Sequence, residues 1–150
     1  MKIAVGCDEA AYELKMAILD FLKENGYETE DFGAQKGENV LYPDVAYRVA
    51  EEIARGNYER GILLCGTGIG MSICANKVPG VRAAVCHDPF SAQRARMSNN
   101  AQIMCLGERV VGPELAKCLV GIWLVSEFAG GRSVPKVERI TELEQKYRVI

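Results

Sequence analysis

Gly61-Ile62-Leu63-Leu64-Cys65-Gly66-Thr67-Gly68-Ile69-Gly70-Met71-Ser72 carries an apolar run into a thiol and then into three glycines spaced two apart. The unbroken apolar run predicts a strand over Arg60 to Cys65 that is covered on both faces. The residues after the glycines predict a short helix over Gly68 to Lys77. Strand, glycine loop and helix together read as one βα unit of a parallel sheet. Glycine lets the backbone curl so that successive N–H groups converge, and the helix that follows adds the positive end of its dipole, so the loop suits an anion. A thiol held beside such donors is placed to act as a base or nucleophile.

Outward from this unit, strand-like and helix-like segments alternate. Ile3 to Cys7 reads as a buried strand, and Tyr12 to Asn25 as a helix with Leu14, Ile18, Phe21 and Leu22 on one face, stopped by Gly26. Glu28 to Gly33 reads as a polar strand suited to an edge. Pro43 opens a helix through Arg55, Val81 to Cys86 is the fourth strand, and Asp88-Pro89 starts a helix through Met97. Gln102 to Leu106 is the fifth strand and Pro113 to Phe128 a long apolar helix. This order implies an α/β fold with a parallel sheet, right-handed crossovers, and ligands at the carboxyl ends of the strands near the switch point. Asp8, Cys65, His87 and the segment Cys105 to Arg109 all fall at or just after strand ends.

The chain has 150 residues, 49% hydrophobic and 25% charged, with a formal net charge of −2 and a pI near 5.5. One domain over 1–150 is expected, and a nucleic-acid binder relying on a basic face is not. Neither a signal-peptide pattern nor a run of ~18 apolar residues is present, so a cytoplasmic protein without membrane contact is expected. The six cysteines are Cys7, Cys65, Cys74, Cys86, Cys105 and Cys118. None forms a CxxC pair, and with one histidine the chain offers no zinc-site pattern, so neither a metal nor a cofactor is expected. From Gly130 to Ile150 a glycine break leads into a short charged helix with little core of its own, which is expected to lie over a neighbouring subunit.

Gly66-Thr67-Gly68-Ile69-Gly70-Met71 nearly gives GxGxxG, and Asp88 falls about 20 residues on, but the third glycine fails and the loop follows the third strand instead of the first. A P-loop is excluded because no GKS or GKT follows. The loop fits an enolisation better, in which a base removes a carbon-bound proton while amides of Gly66 to Gly70 hold the growing oxyanion. On residue type alone, Cys65 fits either that base or a strand-end core thiol, and Thr67 either a ligand or a turn hydroxyl. Arg109 and Arg132 stand beside glycines as anion clamps or surface charges. His87 is either a capping group or an acid or base.

Met1 to Asp8, Tyr42-Pro43-Asp44, Gly61 to Lys77 with Val78-Pro79-Gly80-Val81-Arg82, Asn99, Gly107 to Gly112 and Gly130-Gly131-Arg132 together resemble the type B ribose-5-phosphate isomerase family, which includes galactose- and allose-6-phosphate isomerases. The resemblance spans nearly the whole chain. It implies a flavodoxin-like sheet of about five strands and a metal-free aldose–ketose isomerisation through a cis-enediolate. It also implies homodimers, or tetramers of them, whose sites borrow residues from both chains. Cys65 is then the proton-transferring base, Thr67 with Gly66, Gly68 and Gly70 holds the enediolate, Asp8 and Asn99 meet sugar hydroxyls, and Arg109, Arg132 and Lys136 surround the phosphate.

Three positions depart from the pentose pattern: Glu9, Ser98 and Ser133 stand where histidine is usual. Ser98 cannot shuttle a proton near neutral pH as imidazole does, and a four-carbon sugar with phosphate on O4 has no hydroxyl with which to close a furanose. The segment Ser98 to Ile103 and the tail Gly131-Arg132-Ser133 resemble the branch acting on erythrulose 4-phosphate. The expected reaction is therefore D-erythrulose 4-phosphate to D-erythrose 4-phosphate, with ribose 5-phosphate to ribulose 5-phosphate as the alternative. A non-catalytic sugar-phosphate or nucleotide-binding module is the reading from a different class. Glu9 is expected on a sugar hydroxyl or beside a cation, because a carboxylate repels phosphate.

Overall fold

In the structure, a computed structural model, residues 1–148 are described, and Val149 and Ile150 at the end of the tail lie outside the described residues. Five parallel strands form one sheet: β1 (Lys2–Cys7), β2 (Glu28–Asp31), β3 (Arg60–Cys65), β4 (Ala83–Val85) and β5 (Ile103–Gly107). Their spatial order is β2-β1-β3-β5-β4. The architecture is flavodoxin-like, with the last two strands exchanged relative to the order 2-1-3-4-5. The chain thus reverses direction across the sheet twice, beside β3 each time, which places the ends of β1, β3 and β5 around one crevice.

The helices are α1 (Tyr12–Glu24), α2 (Tyr42–Ala54), α3 (Ile69–Ala75), α4 (Pro89–Met97), α5 (Pro113–Val125) and α6 (Val134–Gln145). Alternation along β3 divides the core. Ile62 and Leu64 pack with Leu14, Ile18, Leu22, Leu119 and Trp123 on the α1, α4 and α5 side. Leu63 and Cys65 pack with Val45, Val49 and Met71 on the α2 and α3 side. Each such leucine or isoleucine, removed from water completely, contributes roughly 1.5–3 kcal/mol. Period 2 along the strand therefore turns Cys65 toward the helix that follows its own loop.

Helix ends explain where the sequence reading ran long. The apolar pattern predicts α5 to Phe128, yet the helix stops at Val125 because Ser126 is extended. Ser126 donates its hydroxyl to the Ile122 carbonyl at 2.7 Å, and buried Arg60 at the start of β3 donates to the Trp123 carbonyl at 3.1 Å. Both satisfy carbonyls that a helix end leaves unpaired. The chain then returns beside α4, where the Ala129 amide donates to the Met97 carbonyl at 3.1 Å. β4 is shorter than Val81 to Cys86 and half-exposed, as befits the strand at the sheet's other edge. No residue of α6 is buried; it is fastened to the body where the Gly80 amide donates to Glu144 at 2.9 Å. No helix among the described residues is long and apolar enough to cross a membrane.

Candidate active site

Cys65 is the last residue of β3 and pairs with Gly107 of β5. Its side chain is only 6% exposed, and its Sγ accepts a hydrogen bond from the Gly68 amide at 3.1 Å. Gly68 makes this possible: its φ of +77° turns the backbone back toward the sulfur and caps α3. Thr67 is exposed, and its Oγ1 accepts from the Ile69 amide at 3.3 Å. The hydroxyl thus braces its own turn while remaining open to the crevice.

A cavity of about 430 Å³ lies over this loop, walled by Asp8, Tyr42, Thr67, Ile73 and Arg109 around Cys65. Asp8 follows β1; its amide donates to the Leu64 carbonyl at 3.3 Å, and its carboxylate caps the next turn by accepting from the Ala10 amide at 3.0 Å. Burial raises the Asp8 carboxyl above its ordinary value, and the Ala10 amide and Arg109 guanidinium oppose that shift. Arg109 reaches the cavity because Gly66 has no side chain; a Cβ there would lie 3.3 Å from the guanidinium. Likewise a Cβ at Gly70 would overlap the ring of Tyr42. Tyr42, Ile69 and Ile73 are the cavity residues that sequence reading did not assign to the site. The signal for Tyr42 is its place in Tyr42-Pro43-Asp44, directly before a helix-opening proline.

Gly107 is required for a different reason. A Cβ there would stand 2.6 Å from Thr67 Cα and 2.8 Å from the Gly66 carbonyl oxygen, both backbone atoms with little room to yield. Gly107→Ala is accordingly expected to destabilise the fold by about 2–3 kcal/mol, as overpacking does. The midpoint of urea unfolding measures this, and an unchanged midpoint would refute the close approach.

The remaining sequence-derived candidates lie elsewhere. Ser98 and Asn99 follow α4 and precede β5, at the end of the sheet opposite Cys65. Ser98 Oγ accepts from Arg94 Nε at 2.8 Å, and the Asn99 carbonyl accepts from Arg82 Nε at 3.1 Å. The contact between Ala129 and Met97 brings the chain leading to Arg132 to that same end. Arg132 and Lys136 are exposed there. Within one chain the candidates therefore form two clusters. Glu9 meets no cation: its Oε2 accepts from the Val40 amide at 3.3 Å, tying the β2–α2 loop. His87 does not line the cavity; its Nε2 accepts from the Gly107 amide at 2.9 Å.

Two hollows are larger, one of about 560 Å³ between β4 and α6 and one of about 660 Å³ between α1 and α5. Neither contains the carboxyl end of a strand, so the smaller cavity over Cys65 is the chemical candidate. Among the described residues no group of three or more His, Cys, Asp or Glu side chains is placed to hold a metal ion.

A family model described as Ribose/Galactose Isomerase matches residues 3–140. The chain belongs to this family. It is 57% identical to a D-erythrulose-4-phosphate isomerase of Pectobacterium atrosepticum, over 97% of each chain. It is 55% identical to a ribose-5-P isomerase B of Listeria innocua, over 99% of this chain and 100% of that one. The solved ribose-5-phosphate isomerase B of Clostridium thermocellum superposes with a TM-score of 0.96 at 52% identity, covering 98% of this chain and 99% of its own. The chain is thus an aldose–ketose isomerase of sugar phosphates.

Proposed function

We propose that this isomerase interconverts D-erythrulose 4-phosphate and D-erythrose 4-phosphate in a dimer whose sites combine residues of two chains. Cys65 removes the C1 proton of the ketose, the electron pair moves into the C1–C2 bond, and the carbonyl oxygen takes the negative charge of a cis-enediolate. Return of the proton to C2, with the hydroxyl proton passing from O1 to O2 and the C1–O1 bond becoming the carbonyl, gives the aldose. The amides of the Gly66 to Gly70 loop that are not spent on Cys65 and Thr67 stabilise the oxyanion, together with the Thr67 hydroxyl. Asp8 binds a sugar hydroxyl, and Arg109 supplies positive charge beside the loop.

The observation that carries the substrate is the state of the groups able to open a ring. Ser98 carries a hydroxyl already engaged by Arg94, and His87, the one imidazole of the sequence, spends Nε2 on a backbone amide away from the cavity. A substrate that is already open needs neither. The observation that carries the shared site is the separation of the two clusters: Ser98, Asn99, Arg132 and Lys136 of one chain complete the site around Cys65 of another. The relative from Listeria innocua, named for ribose 5-phosphate, keeps the pentose reaction as a second reading.

Turnover of tetrose, pentose and hexose phosphates measured side by side tests the substrate. kcat/KM is expected to favour the tetrulose phosphate over ribose 5-phosphate by at least about tenfold, a difference of ~1.4 kcal/mol in transition-state stabilisation. Preference for ribose 5-phosphate would overturn the open-chain argument.

A further inference from the structure

We infer that His87 is a positioning residue for the Cys65–Gly68 loop, acting through the amide of Gly107. The inference rests on the isomerase reading of that loop. Register places His87 beside the end of β5, since Val85 pairs with Cys105, and Gly107 in turn pairs with Cys65 on β3. His87 and Cys65 therefore flank Gly107 from opposite sides.

Hydrogen bonds from the turn that Gly107 begins reach the imidazole on one side and the backbone of the Cys65 loop on the other. Gly107 donates its amide to His87 Nε2 at 2.9 Å. The next two amides brace the loop itself: Glu108 donates to the Cys65 carbonyl at 2.9 Å and Arg109 to the Gly66 carbonyl at 3.0 Å. The Gly107 carbonyl closes the turn by accepting from Val110 and Val111, each at 3.0 Å. Gly107 also lies against Thr67 so closely that a Cβ would collide with its Cα. A shift of Gly107 is thereby transmitted to Arg109, Thr67 and the backbone carrying Cys65. Among the described residues no other side chain bonds this amide.

Acceptance by Nε2 fixes the neutral imidazole with its proton on Nδ1. Protonation of Nε2 would turn the acceptor into a donor facing a donor, and the bond would break. The groups around the ring leave that titration to the imidazole itself. Cys86, just after β4, is a thiol pushed up to about 12 by burial, and Cys105 on β5 is raised well above its ordinary value by burial, so both are neutral. Asp88, at the N-terminus of α4, is the charged neighbour. Burial lowers the His87 value below its ordinary level and Asp88 opposes this. Glu108 and Arg109 on the turn interact with Asp8, and neither is among the groups that shift His87.

The sign follows directly. With the folded value lowered, the unfolded chain takes up the proton first, so stability falls as pH drops through about 6.5, the ordinary imidazole value, and levels off below the lowered one. The loop loses its anchor only as pH falls through the lowered value. An acid limb in kcat is therefore expected below about pH 6.5.

Three variants and one spectroscopic probe test this on the full-length enzyme. His87→Ala is expected to lower kcat by about 10- to 100-fold with a smaller change in KM, because the loop and Arg109 are misplaced while Arg132 and Lys136 are untouched. His87→Gln, which keeps an acceptor that does not titrate, is expected to restore most of kcat and to remove the acid limb; His87→Leu, of similar bulk without an acceptor, is not. In the wild-type protein the Gly107 amide resonance should titrate with the His87 ring, below the ordinary imidazole value of about 6.5. A His87→Leu enzyme with wild-type kcat and pH profile, or a Gly107 amide indifferent to His87 protonation, overturns the inference. Absence of turnover in the wild-type enzyme would instead sink the isomerase reading, and the Gly107 titration would still decide whether the imidazole anchors the loop.

Discussion

Cys65→Ala is expected to lower kcat by about 10²- to 10⁴-fold, the usual loss when a positioned proton-transfer group is removed. KM should change little, because the cationic residues assigned to the phosphate are untouched. Stability should fall by only about 1–2 kcal/mol, since the change removes a single sulfur and leaves the Gly68 amide without its acceptor. The distinction between a large kinetic and a small thermodynamic effect matters. Cys65 belongs to the core cluster that includes Met71 and Cys105, and a thiol that merely filled space there would give the reverse pattern. Steady-state kinetics with thermal unfolding of the same preparation separates the two. An alanine enzyme retaining most of kcat would move the base to Asp8, a carboxyl on the cavity wall that burial raises above its ordinary value.

The βα unit around Cys65 was legible because two local signals agree: a continuous apolar run that only a doubly covered strand needs, and glycines at positions where the backbone turns or touches a neighbour. Asp8 and Arg109 followed from it, since both occupy strand ends. The exchange of β4 and β5 was not legible. Ala83-Ala84-Val85 and Ile103 to Gly107 are both apolar, and apolarity reports cover by neighbours without saying which neighbour. Tyr42 was missed because its role depends on Gly70 twenty-eight residues later, a contact set by the packing of α2 against α3. The end of α5 was missed for a similar reason: Arg60, distant in sequence, supplies the cap. Glu9 is the instructive case. Residue type suggested a sugar hydroxyl or a cation as its partner; folding brought it no cation but a backbone amide from the β2–α2 loop.

Mixing Cys65→Ala chains with Arg132→Ala chains is expected to restore activity that neither variant has alone. Each homodimer carries two damaged sites, because Cys65 and Arg132 lie at opposite ends of the sheet in one chain and the proposed site takes one from each subunit. Loss of a guanidinium from a phosphate site removes a charge-assisted, bidentate contact, so the arginine variant should be impaired chiefly in KM. In a random mixture half of the dimers are mixed, and each of these holds one site with both residues intact and one with neither. Recovery of about a quarter of wild-type activity is then expected from pairing statistics in a twofold dimer. Subunit exchange must be shown in the same experiment, for example with chains of different mass resolved by native mass spectrometry. With exchange demonstrated, no recovery would mean that Cys65 and Arg132 do not serve one site across the interface. Recovery has no single-chain explanation, because no chain in the mixture carries both residues: the tail that lacks a core of its own would then owe its place in the sequence to the neighbouring subunit's substrate.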